Sequence, residues 1–230
     1  MSGQYPPDLA RIHTESYADT FATAFDWLSR EIKDAPAQAR LFDLGCGDGA
    51  WLAAAADRGI PGSGIDLSAA FVELARGRGL EVATGRAAEA QIPAGTSAIT
   101  ALGEVLSYVD TASGQDSLEP VARAALDHLP SGGRLFADMI GTGVVPFSGQ
   151  RKGPDWSIRS EVTITATRLT RRMETEYHGN FEVVTHHQTR RAPEPTADML
   201  RDMGWICDLA TGYGPCPLLQ GRFAIVLTRP

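Results

Sequence analysis

The sequence predicts an α/β protein: a Rossmann-like, doubly wound, seven-stranded and mostly parallel sheet, with an N-terminal helix and an inserted three-stranded antiparallel meander. Three observations carry this prediction. Short apolar runs alternate with helix-like segments as far as Ile140, β-branched residues then alternate with polar ones from Trp156 to Gln188, and the first pattern resumes afterwards. Strand and helix in alternation imply parallel strands joined by crossovers, whereas a run of strands with short turns between them implies antiparallel pairing.

The elements follow in chain order. From Thr14 to Lys33 the apolar residues Tyr17, Phe21, Ala24, Phe25, Leu28 and Ile32 recur at helical spacing, and Pro36 lies just beyond. Strands are predicted at Arg40 to Leu44, Gly62 to Asp66, Glu81 to Thr84, Ala98 to Leu102 and Arg134 to Ile140. Helices are predicted at Ala50 to Arg58, Ser68 to Arg78 and Ser117 to Leu129, with Ser68 and Ser117 placed to cap the last two. Gly141 to Pro154 reads as a loop. The meander then turns near Ala166-Thr167 and at Gly179-Asn180. Thr196 is expected to cap a short helix to Met203, and strands at Trp205 to Ala210 and Arg222 to Thr228 complete the sheet. One domain results: a helical cap (1–38), a cofactor-binding core (39–140), the antiparallel insertion (141–195), and the closing helix and strands (196–230).

Composition narrows the function. Of 230 residues 43% are hydrophobic, which excludes a disordered or collagen-like chain. Lys and Arg number 21 against 28 Asp and Glu, a net charge of -7 that disfavours nucleic acid and anionic membranes as partners. Cys46, Cys207 and Cys216 form no CxxC and have no histidine at zinc-finger spacing. A reducing cytoplasm and no metal are expected, as is a chain without a signal peptide or a membrane span.

The chemistry concentrates at Leu41-Phe-Asp-Leu-Gly-Cys-Gly-Asp-Gly-Ala50, where the first strand meets the next helix. Gly45, Gly47 and Gly49 permit positive φ and let a ligand approach the backbone at a helix N-terminus. The glycines alone also match a dinucleotide fingerprint and do not choose between cofactors. Asp43, two residues before the first glycine, and Asp66, ending the second strand, shift the balance. An acid at 66 can accept from both hydroxyls of a ribose, and a negative Asp43 suits an ammonium and a sulfonium better than a pyrophosphate.

The Asp43-x-Gly45-x-Gly47-x-Gly49 arrangement resembles the first motif of the class I S-adenosylmethionine-dependent methyltransferases, and Gly64-Ile-Asp66-Leu67-Ser68 resembles their second. Gly85-Arg-Ala-Ala-Glu89 is placed like their adenine-binding third motif, with Arg86 at the usual acid position. The resemblance thus leaves backbone groups at Ala87 and Ala88, or Glu89, to meet the adenine. Thr100 to Tyr108 resembles the fourth motif, which implies that Gly103 lies close to the methionine part and that Glu104 and Tyr108 face substrate or cofactor. Leu129 to Leu135 resembles the stretch leading into the fifth strand. The lead-in Asp8 to Thr14 is similar to a small-molecule subgroup in which the first helix covers the cofactor, placing His13 and Tyr17 near the methionine carboxylate or the acceptor. In sum, the resemblance implies S-adenosylmethionine as cofactor, with S-adenosylhomocysteine as product, bound by Asp43, Gly45, Cys46, Gly47, Gly49, Asp66, Leu67, Ala87, Ala88 and Gly103.

In the insertion, the two predicted turns pair residues whose numbers sum to about 333 and about 359. Ile158, Val162, Leu169, Met173, Val184 and His186 then share an apolar face with Arg171 and Gln188, and a slip of one residue would exchange His186 for His187. That face is expected over the ligand end of the main sheet. His13, Glu104, His186 and His187 are the candidate bases, and Tyr17, Tyr108 and Arg171 the candidate substrate contacts. Six basic residues (Arg151, Lys152, Arg159, Arg168, Arg171 and Arg172) stand against Asp155 and Glu161, which favours an acceptor bearing a carboxylate or phosphate.

Methyl transfer to a small-molecule O, N or C acceptor by in-line displacement is therefore the expected activity. A non-catalytic cofactor-binding regulator and an NAD(P)-dependent oxidoreductase are the alternatives. Oligomeric state, acceptor and pathway are not encoded in these motifs.

Overall fold

The computed structural model describes residues 5–17, 21–35, 37–110 and 112–230, with the side chain of Tyr17 outside the description. Its main sheet has seven strands. In chain order these are β1 (Leu41–Leu44), β2 (Gly62–Asp66), β3 (Val82–Thr84), β4 (Ala98–Ala101), β5 (Arg134–Ile140), β10 (Ile206–Ala210) and β13 (Arg222–Thr228), arranged across the sheet as β10-β13-β5-β4-β1-β2-β3. The first five run parallel, and β13 enters antiparallel between β5 and β10. The strand order reverses where β1 lies between β2 and β4, and in such sheets ligands bind outside the carboxyl ends of the strands at that reversal.

Both faces of the sheet are covered, so its central strands are buried on both sides rather than alternating; every residue of β1 and β4 is buried, Asp43 and Thr100 included. Phe42, Leu44, Ile99 and Leu135 pack under α5 (Leu118–His128) and α6 (Pro193–Asp202). On the other face, Leu41, Ala98 and Phe136 pack against Leu28 and Ile32 of α2 (Ala22–Lys33) and Trp51 and Leu52 of α3 (Ala50–Asp57). Helix α4 (Ala69–Gly77) begins at Ser68, whose hydroxyl accepts from the Phe71 amide at 3.4 Å.

The insertion has four antiparallel strands where three are predicted: β6 (Phe147–Lys152), β7 (Trp156–Ile164), β8 (Arg168–Tyr177) and β9 (Asn180–Thr189). The added β6 is an outer strand with almost every residue exposed, so it leaves no hydrophobic alternation to read. The first hairpin pairs Trp156 with Tyr177, on the expected sum of 333. The second pairs Arg171 with His186, a sum of 357 rather than 359. The cause is the turn, which falls on His178-Gly179 (φ 48° and 84°) rather than one residue later; two successive positive φ values make the tight reversal that suits a hairpin. A shift of two keeps each side chain on its face, so His186 is buried and His187 exposed.

Other expectations are corrected. The single N-terminal helix is two, α1 (Pro7–Tyr17) and α2. The amide of Leu118 is met by Asp116 (3.2 Å), and Ser117 makes no side-chain cap. Thr196 lies inside α6, its hydroxyl donating to the Ala192 carbonyl at 2.8 Å, because Pro193 already opens the helix. Short strands β11 (Gly212–Tyr213) and β12 (Cys216–Pro217) make an unforeseen hairpin.

Helix α1 packs on the insertion and, through His13 against Phe71, on α4 of the core. Leu9 and Ile12 form one cluster with Ile158 and Met173, and the Trp156 indole donates to Glu15 Oε2 at 2.6 Å. The pair closes over the carboxyl ends of β1 and β4, with Val109 N–H donating to the His187 carbonyl at 2.8 Å. Among the described residues no helix is long and apolar enough to cross a membrane.

Candidate functional site

The glycine loop links β1 to α3 with Gly45, Gly47 and Gly49 all left-handed (φ 66°, 55° and 79°). At Gly45 a Cβ would come within 2.5 Å of Val105 Cγ2, so a side chain fails on both conformation and space. At Gly47 a Cβ would meet no described atom within 4 Å. The loop is therefore tight below and open above at Gly47, the form of a cradle for a ligand. Gly49 caps α3.

Asp66, at the tip of β2, fastens this loop. Its Oδ2 accepts from the Gly47 amide at 2.9 Å and its Oδ1 from the Ser68 amide at 2.8 Å, while burial raises its pKa. Each oxygen keeps a lone pair for a further donor. Leu67 follows, half-buried. Asp43 is buried at the end of β1, accepting from Thr100 Oγ1 at 2.6 Å, and that hydroxyl in turn accepts from the Trp51 indole at 3.1 Å. Burial, and secondarily the charge of Asp66, push Asp43 up to about 7. Asp48 turns aside to Arg78 (2.6 Å). Cys46 is buried and burial pushes its thiol up, so it stands as a thiol.

Ala87 and Ala88 lie in a 3₁₀ turn after β3, the first half-buried and the second exposed. Arg86 there is paired with Asp110 at 3.0 Å. At the end of β4, Gly103 and Glu104 are both left-handed (φ 82° and 66°). Asp138 of β5 holds the two residues, accepting from the Gly103 amide at 2.8 Å, the Glu104 amide at 2.9 Å and the Tyr213 hydroxyl at 3.0 Å. Burial pushes Asp138 up to about 7. A Cβ at Gly103 would meet only Phe21 Cε2, at 3.9 Å, among the described residues.

The candidate acceptor residues converge from four parts of the chain. Glu104 Oε2 accepts from Arg171 Nη2 at 3.1 Å and Gln188 Nε2 at 2.9 Å, and its Oε1 accepts from Arg222 Nε. Burial opposes its charge, but the two guanidiniums and the hydrogen bonds outweigh that and lower its pKa. His186 lies fully buried with its ring 4.9 Å from Tyr5 and 5.3 Å from Tyr108, between centroids. The Tyr5 and Tyr108 hydroxyls are 3.2 Å apart, and the Tyr5 carbonyl accepts from Ser68 Oγ at 2.7 Å. His13 sets its ring edge-on to Tyr5 (5.4 Å) and Phe71 (5.5 Å), and burial lowers its pKa to about 4. Tyr17 ends α1, and its side chain lies outside the described residues.

Sequence reasoning passed over Tyr5, Asp138, Gln188 as a partner of Glu104, Tyr213 and Arg222. Of these only Asp138 left a signal: one acid in the otherwise apolar strand Leu135 to Ile140, where a buried carboxylate needs donors.

The family described as methionine biosynthesis protein MetW matches residues 25–92, less than a third of the chain. No curated protein matches it by sequence. Solved structures similar over nearly its whole length include an S-adenosylmethionine-dependent methyltransferase of Clostridium acetobutylicum (15% identical, TM-score 0.76, covering 96% of this chain and 97% of that one). A sugar N-methyltransferase of Streptoalloteichus is 18% identical, with TM-score 0.77 and 100% and 96% covered. An amino pentose methyltransferase of Micromonospora echinaspora, solved with S-adenosylmethionine bound, is 23% identical, with TM-score 0.69 and 96% and 94% covered. The fold is that of the class I S-adenosylmethionine-dependent methyltransferases.

Proposed function

We propose that this chain is an S-adenosylmethionine-dependent methyltransferase acting on a small-molecule O, N or C acceptor. One observation carries the reading: the Asp66 carboxylate, at the tip of β2, is tied to the Gly47 amide beside open space, so that an acid and a glycine cradle face the same crevice at the sheet's reversal point. The similar structures support it, being methyltransferases, two of them named for sugar acceptors.

The residues present fit the cofactor. Asp66 would take the ribose hydroxyls, Gly45, Cys46, Gly47 and Gly49 would line the loop beside it with Leu67, Ala87 and Ala88 would meet the adenine, and Asp43 and Gly103 would flank the methionine part. When bound, S-adenosylmethionine supplies a methyl group on a sulfonium, open to in-line attack by a nucleophile. The protein's own contribution is positioning and exclusion of water: α1 and the insertion cover the crevice, and Tyr5, Tyr108 and His186 wall its acceptor side.

Proton transfer has a smaller place. Glu104 is held ionised by two arginines and is a poor proton acceptor, while His13 is neutral at pH 7 but weakly basic. Such a site suits an acceptor that arrives as a nucleophile, a neutral amine or a readily ionised hydroxyl.

The test is isothermal titration with S-adenosylmethionine, S-adenosylhomocysteine and NAD(P)H, with Asp66→Ala alongside. Micromolar binding of the sulfur ligands, weakened about tenfold or more in the variant by loss of a charged acceptor, is expected. Binding of NAD(P)H alone would overturn the reading and favour an oxidoreductase, whereas cofactor binding with no methylated product across a broad acceptor panel would favour a regulator.

A further inference from the structure

Of the six basic residues between Arg151 and Arg172, only Arg171 turns towards the crevice as part of a buried network. Arg151, Lys152, Arg159 and Arg172 are exposed, the last paired with Glu174, and Arg168 is spent on Thr189 and the Gly114 carbonyl. Arg171 lies on β8, on the inner face of the insertion, with its side chain 18% exposed. It stands directly across from His186, whose ring packs on both Tyr5 and Tyr108.

Glu104 orients this guanidinium without using it up. Among the described residues its one hydrogen bond is Nη2 to Glu104 Oε2, and a guanidinium carries further N–H donors in a fixed fork. Glu104 is shared with Arg222, so two half-buried cations face one buried carboxylate at this point. Asp138, a further buried acid that feels the charge of Glu104, is spent on two amides and the Tyr213 hydroxyl. Beside the fork, the Tyr5 and Tyr108 hydroxyls bond to each other, which leaves one of the two O–H groups to donate elsewhere. A partly open guanidinium edge and a phenolic donor on one wall are the elements of an oxyanion-binding site.

We infer that Arg171, oriented by Glu104 and assisted by the Tyr5 and Tyr108 hydroxyls, binds an anionic group, carboxylate or phosphate, carried by the methyl acceptor. The inference rests on the proposed methyltransferase reading for the word acceptor; the anion site itself rests on the geometry alone. It narrows the substrate to small molecules with an oxyanion near the nucleophile.

The experiment titrates inorganic phosphate, benzoate and uncharged benzamide, by calorimetry, into the protein alone and into the protein saturated with S-adenosylhomocysteine. At least one anion binds and benzamide does not; which anion binds separates the phosphate source from the carboxylate. Arg171→Gln weakens the anion about tenfold or more. Glu104→Gln, whose amide oxygen can still accept from Arg171 while the competing charge is removed, strengthens it. Equal binding to Arg171→Gln, equal binding of benzamide, no anion binding to the unaltered protein, or weakening in both variants overturns the inference, the last by assigning the loss to packing. Failure of S-adenosylhomocysteine to bind while the anion still does would instead remove the methyltransferase reading and leave the anion site standing.

Discussion

The parallel sheet and the α1-insertion unit meet at one crevice but are built on different principles. In the sheet, the candidate ligand contacts are set by backbone geometry: left-handed glycines before a helix, and carboxylates such as Asp66 and Asp138 that hold amides in place. In the α1-insertion unit they come from side chains that meet across long stretches of sequence, Tyr5 against His186 and Arg171 against Glu104. The packing differs too. The sheet is sandwiched between continuous apolar clusters, whereas the other unit rests on Leu9, Ile12, Ile158 and Met173, with a second small cluster of Ile140, Val162 and Leu169.

Three experiments would break or sharpen that contrast. Ile12→Ala opens a gap in the small cluster, and a truncation of this kind costs about 2–5 kcal/mol. Hydrogen exchange should accelerate in α1, β7 and β8 while β1, β4 and β5 keep their protection. Equal loss of protection in both units would show that they unfold as one.

A smaller effect is expected from pH. Asp43 and Asp138 are raised to about 7, so the folded protein keeps protons that the unfolded chain has already lost above the ordinary carboxylate range. Stability therefore falls as pH rises towards and through 7, where the full cost of burying two charges appears. His13, lowered to about 4, works in the opposite sense only below its unfolded value near 6.5, and Glu104, also lowered, only below the carboxylate range. From pH 6.5 to 8 the melting temperature of the ligand-free protein should drop, and Asp43→Asn should roughly halve that drop. A flat profile would mean that neither acid is held protonated. The smallest effect belongs to the outer face of the insertion: Arg172→Ala, which removes an exposed pair with Glu174, should leave the midpoint of chemical denaturation unchanged.

The same contrast explains what could be read from the sequence. The strands of the main sheet and the glycine loop announce themselves locally, because apolar runs and Gly-x-Gly spacing are short-range signals. The faces of the insertion were legible from alternation, but its second turn was not, since His178 gives no sign that it will adopt a positive φ. Outer strand β6, FSGQRK, has almost nothing buried and so no pattern to find. At the crevice, Glu104, Tyr108, Arg171 and His186 were each visible as isolated candidates. That Glu104 would be consumed in binding Arg171, Gln188 and Arg222 was not, because the partners are 67, 84 and 118 positions away in the chain.

Strand β13 carries one further consequence. It is the last strand formed along the chain, yet it sits inside the sheet, between β5 and β10, and its first residue, Arg222, reaches Glu104. During synthesis, which proceeds from the N-terminus, β5 must wait with one apolar edge unpaired until residues 222–228 leave the ribosome. Neither the sheet nor the Glu104 network can close before then. Completion of the site is thus tied to completion of this segment, and a nascent chain halted before Arg222 would expose β5 as a sticky edge rather than bind a ligand weakly.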